Sequence, residues 1–74
     1  MTMAATEEKA ELQPYQQRVL EEQKDLDAKI EKLSQFLEKG PTHTIKSEEL
    51  NRLRLQYQAM CLYSAILGQR IAAF

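Results

Sequence analysis

The chain has one cysteine, one histidine and almost no net charge, with ten basic side chains set against eleven acidic ones in 74 residues. Each scarcity removes a class of function. The lone Cys61 closes no intramolecular disulfide. Among apolar neighbours it reads as a buried small hydrophobe of a reducing compartment rather than as a metal ligand. His43 stands in a connecting segment with no second imidazole and no serine or cysteine beside it, so neither a metal pair nor a nucleophilic site is expected. The Glu-x-x-His spacing of a di-metal bundle is absent. The neighbouring acids Glu21 and Glu22, or Glu48 and Glu49, diverge by ~100° on a helix and do not share a site. No catalysis, metal or cofactor is expected. Balanced charge gives no field to attract nucleic acid or an anionic membrane. No basic start followed by an apolar run marks a secretory signal, and no apolar stretch reaches the ~20 residues of a membrane span. The expectation is a soluble cytoplasmic protein with no nucleic-acid and no membrane partner.

What the chain does have is helical period. Leu50, Leu53, Tyr57, Met60, Ser64, Leu67, Ile71 and Phe74 alternate steps of three and four and form one stripe of a long helix. A second set, Leu55, Ala59, Leu62, Ile66 and Ala73, projects roughly 160° away from the first. One partner helix covers one face only, so the other requires a further chain. The first stripe is longer and is assigned to the hairpin core, leaving Leu55, Ala59, Leu62, Ile66 and Ala73 as the oligomer interface. Seventy-four residues carry a thin core of their own, which oligomerisation remedies.

Upstream, Leu12, Val19, Leu26 and Leu33 recur every seventh residue, with Ile30 and Leu37 filling alternate seam positions that Gln16 and Gln23 occupy earlier. Pro14 suits the first position of a helix. Gly40 before Pro41 predicts a stop, the glycine taking a left-handed conformation past the helix end. Ser47, followed by Glu48 and Glu49, predicts a hydroxyl cap for the next helix. The fold class is therefore all-α, an antiparallel hairpin of two long helices assembling into a homo-oligomeric bundle. Its first helix is expected over about 14–38, a loop over 39–46 and a second helix over about 47–74. Residues 1–11 read as a flexible or briefly helical start, with Thr6 before Glu7 and Glu8 as a cap. Arg18 with Glu22, and Asp25 with Lys29, stand at the spacing of supporting ion pairs.

Tyr15, Arg18, Glu22, Lys29 and Phe36 project within a sector of roughly 60° beside the first seam. An aromatic face on which a base stacks, next to cations that hold phosphate, has the ingredients of a small nucleotide site. The same pattern is also the ordinary edge of a coiled-coil seam. Arg70 is the only charge between Ala59 and Phe74 and either reaches water or pairs across an interface. The candidate ligand-binding residues are thus Tyr15, Arg18, Lys29, Phe36 and Arg70.

The segments LQPYQQRVLEEQKDLDAKIEKLSQFL (Leu12 to Leu37), LRLQYQAM (Leu53 to Met60) and LGQRI (Leu67 to Ile71) resemble a family of small phage and prophage proteins related to a crAss-like phage protein. The resemblance implies a viral accessory protein acting in the host cytoplasm, and it carries over no functional residues. Small phage hairpins that oligomerise include proteins sequestering the cyclic-nucleotide signals of bacterial immunity, an analogy of architecture alone. The chain lacks the Gly-Tyr-Arg, Met-Asn and downstream lysine of one such sponge. Two readings follow. In the first, an oligomer holds a nucleotide-derived immune signal, of cyclic-nucleotide or ADP-ribose type, in pockets between subunits. In the second, the spare apolar face docks a host or phage protein.

Overall fold

The structure is a computed structural model that describes residues 12–74; the expectations placed on residues 1–11, the Thr6 cap among them, lie outside the described residues. Two α-helices, α1 (Pro14–Lys39) and α2 (Ser47–Ala72), run antiparallel, joined through a short 3₁₀ turn at Thr42–Thr44. Among the described residues there is no strand. Each helix has 26 residues, about 39 Å at 1.5 Å per residue, so the two zip along their whole length into a rod of 53 × 19 × 16 Å.

α1 begins with Pro14 at its first position, where the missing N–H costs no intrahelical bond. Gln13 stands before it as the cap, and its backbone N–H donates to Gln16 Oε1 at 2.8 Å. This is the reciprocal half of a capping box, built with glutamine in place of glutamate.

The connection corrects two expectations. Gly40 is not left-handed: it sits at φ −76° and ψ 174°, because the proline that follows drives its predecessor into extended backbone. Glycine is required there for a different reason. A Cβ would lie 2.5 Å from the Phe36 carbonyl oxygen and 2.6 Å from the Phe36 ring. That close approach lets the Gly40 N–H donate to Phe36 O at 2.8 Å, satisfying one of the last carbonyls of α1. Nor does Ser47 cap α2. The 3₁₀ turn, closed by Thr44 N–H and Oγ1 donating to the Pro41 carbonyl, delivers the chain one residue early. Lys46 becomes the cap, its carbonyl accepting from Leu50 N–H at 2.9 Å. Ser47 is left as the first helical residue, followed by Glu48 and Glu49 at the positive end of the helix dipole.

The core lies in the half of the hairpin away from the turn. Val19 and Leu26 of α1 close on Leu67 of α2, which is 1% exposed, with Ile30, Met60 and Ile71 packed around them. All of the longer α2 stripe from Leu50 to Ile71 is buried or half-buried, so it faces α1 as its length indicates. The other stripe has nothing over it: Leu55, Leu62 and Ile66 are 56, 64 and 44% exposed, and Ala59 and Ala73 are exposed as well.

Between the apolar layers, Gln23 Nε2 donates to the Ser64 carbonyl at 3.1 Å, and Ser64 Oγ donates to Asp27 Oδ1. Gly68 makes room for this, since a Cβ there would come within 3.2 Å of Gln23 Nε2. A polar rung at a seam position fixes which residues oppose one another.

Leu67→Ala removes the most buried side chain and should lower unfolding free energy by about 3 kcal/mol, read from urea unfolding at matched protein concentration. Gly40→Ala should cost about 1 kcal/mol or more, and a thermal midpoint equal to the parent's would show that the approach to Phe36 relaxes freely.

Candidate functional site

The hairpin's register decides which of the sequence candidates meet. Tyr15 and Phe74 come together at the open end, their rings edge to face with centroids 6.1 Å apart and planes at 76°. Tyr15 is thus engaged as a terminal clasp, an arrangement that aromatic quadrupoles favour. Phe36 lies at the opposite end, half-buried beside the turn in a shallow groove with Lys32, Glu38, Lys39 and Gly40. Twenty-one residues of helix separate Tyr15 from Phe36, about 32 Å, so the two rings do not serve one small ligand.

Midway between them, an open groove of about 470 Å³ runs along the junction of the helices, lined by Arg18, Glu21, Glu22, Asp25, Leu26 and Lys29 of α1 and by Tyr63 of α2. Its volume lies within the range of small-ligand sites. Arg18, Glu22 and Lys29 of the expected sector therefore do share a surface, and Leu26 forms its floor. Arg18 and Lys29 stand at its two ends, eleven residues or about 16 Å of helix apart.

Both cations are uncommitted. Among the described residues the ion pair that forms is Arg52 with Glu49, Nε to Oε1 at 2.9 Å; the expected pairs Arg18 with Glu22 and Asp25 with Lys29 do not close. Exposed pairs of that kind gain little in water and lose side-chain freedom, which leaves the two cations available to a ligand. Arg70 is exposed and lines neither groove.

The sequence reading missed Tyr63, which is 43% exposed and supplies the aromatic wall. It belongs to neither apolar stripe, so periodicity passed it over. The available signal was its place four residues before Leu67, on the flank of the core stripe. Antiparallel pairing then sets it opposite Leu26. The groove's charge also differs from that of a phosphate cradle: three carboxylates face two cations, and Glu21 and Glu22, expected to diverge, line the same groove with Asp25 because it is wide and open. Carboxylates accept hydrogen bonds from ribose hydroxyls, as the acidic residue of dinucleotide folds does. Further cations lie on α2 outside the groove: Arg52, paired with Glu49, and Arg54 and Arg70, with no acidic residue after Glu49.

Among the described residues no group of three or more histidine, cysteine, aspartate or glutamate side chains is gathered to hold a metal ion, and no helix is long and apolar enough to cross a membrane.

Comparison with known proteins places this geometry in a lineage. The family described as Sequestin matches residues 13–73, all but the ends of the described hairpin. The chain belongs to the Sequestin family. It is also 42% identical over 60 residues to an uncharacterized 7.5 kDa protein from the denB-rIIB intergenic region of Enterobacteria phage T4, covering 81% of this chain and 94% of that one. The resemblance to small phage accessory proteins holds at this level; the narrower crAss-like relation is not what these likenesses show. No solved structure matches the chain. Within the Sequestin family match fall both helices, the polar rung and every residue of the groove.

Arg18→Gln and Lys29→Gln should each leave the melting free energy within about 0.5 kcal/mol of the parent, since neither side chain is paired. Tyr15→Ala should lower it by about 1 kcal/mol through loss of the ring contact with Phe74. Differential scanning calorimetry of the three variants separates these effects, and a large loss at Arg18 or Lys29 would show that the groove cations are structural.

Proposed function

We propose that this chain is a phage-encoded, non-enzymatic counter-defence protein that binds and holds a nucleotide-derived immune signal, of cyclic-nucleotide or ADP-ribose type, in pockets completed between subunits in the cytoplasm of the infected bacterium. The observation that carries this reading is membership of a family whose name, Sequestin, speaks of sequestering. The mid-hairpin groove supplies the means. Tyr63 offers a face on which a base stacks, Glu21, Glu22 and Asp25 offer acceptors for ribose hydroxyls, and Arg18 and Lys29 offer charge-assisted bonds to phosphate at either end. Holding a signal out of reach asks for affinity alone, and nothing in the groove is disposed as a nucleophile with its base.

A second reading rests on a different observation, the uncovered α2 face of Leu55, Leu62 and Ile66. In that reading the face docks a host or phage protein as a helix-in-groove contact and the groove charges serve solubility.

Thermal unfolding with ADP-ribose and with 3′,5′-cyclic dinucleotides as probes tests the first reading. A ligand present at a hundred times its Kd stabilises the folded state by about 2.7 kcal/mol, a shift of roughly 10 °C or more in a domain of this size. Arg18→Gln with Lys29→Gln should abolish the shift while leaving the unliganded midpoint near the parent's, and Tyr63→Ala should abolish it as well. Absence of a shift with every probe, together with counter-defence activity that survives the double charge removal, would decide for protein docking.

A further inference from the structure

We infer that the uncovered face of α2 is occupied by a second copy of this chain, packed antiparallel about Leu62, and that this copy walls the open side of the groove at Tyr63. The inference deepens the binding reading above and rests on it for the groove's purpose, though not for the contact itself.

The face is self-complementary in a way that a surface for an unrelated partner need not be. A two-fold axis between Leu62 and Tyr63 sets the small Ala59 against the large Ile66 of the partner subunit, and sets Leu55 along the aliphatic stem of the partner's Arg70. Large against small is how facing helices interdigitate. The extent also fits. Leu55, Leu62, Tyr63 and Ile66 are all at least 43% exposed, and together with the Arg70 stem they offer on the order of 500 Å² per chain. A pair then buries on the order of 1,000 Å², the size of a weak, reversible contact and about the least that a biological interface needs.

Position on the helix ties this contact to the groove. Around α2, Tyr63 and Arg70 fall between the side that packs on α1 and the apolar side, so a copy laid on the apolar side stands next to both. Because Leu62 opposes the partner's Tyr63, the two Tyr63 rings meet near the axis, and the two grooves become one concave surface. Each copy adds Arg70 to a groove that holds three carboxylates against two cations by itself. Arg70 thereby gains a role that its position in a lone hairpin does not give it.

Geometry makes the test sharp. In a two-fold antiparallel contact about Leu62, residue 62 lies beside its own mate, whereas residue 55 lies about 22 Å from its mate along the axis. In a Cys61→Ser background, Leu62→Cys should crosslink quantitatively to dimer under mild oxidation and Leu55→Cys should not. Equal crosslinking of both would mean a parallel contact and overturn the inference. Sedimentation equilibrium should give a dimer, or a multiple of one, for the parent and a monomer for Leu62→Asp; at 64% exposure that position tolerates the change without unfolding. A monomeric parent would overturn the inference and leave the face to a different protein. Nitration of Tyr63 by tetranitromethane, located by peptide mass spectrometry, should be several-fold slower in the Leu62→Cys crosslinked dimer than in Leu62→Asp, and equal rates would refute the walled groove. None of these measurements uses a nucleotide, so failure of the dimer and failure of ligand binding are read separately.

Discussion

The closure of Leu67 on Val19 and Leu26 sets the rest of the molecule, because among the described residues these are the buried apolar side chains, and they set one register for the whole hairpin. A seam built from leucine alone slides easily by a turn, since each rung resembles the next. The Gln23 amide seated over Gly68 and bonded to the Ser64 carbonyl marks one rung as unlike the others. From that rung outward the pairing is arithmetic: Tyr15 finds Phe74 at one end, and Leu26 and Tyr63 share a groove in the middle.

The hairpin was legible in the sequence because each helix states its packing face, by heptad in α1 and by stripe in α2, and because Gly40 and Pro41 stand between the two patterns. The roles of individual turn residues were not. Proline's restraint on its predecessor overrode the left-handed preference of Gly40, and a one-residue shift turned Ser47 from cap into first helical residue. Both are contests between local terms of similar size, which composition does not decide.

The candidate site was half legible. Arg18, Glu22 and Lys29 share a helix flank, and a wheel finds them. Tyr15 and Phe36 lie on the same flank, yet a wheel discards height along the axis, and at 1.5 Å per residue height is what separates them. Tyr63 was invisible for the complementary reason: its importance arises from the other helix, through pairing that no single-helix pattern contains. Arg70 stood out in the sequence as the one charge in an apolar run, and it acquires surroundings only when a second copy is placed beside it.

The short connection between the helices has a kinetic consequence. Seven residues, Gly40 to Lys46, separate two helices whose contacts form in order away from the turn, so each new rung closes a loop already shortened by the one before it. Chains of this topology fold on microsecond to millisecond timescales. That order reaches the best-buried rung late, because Val19, Leu26 and Leu67 lie in the half of the hairpin away from the turn; a half-zipped hairpin therefore holds little buried apolar surface, and the two helices stand or open together.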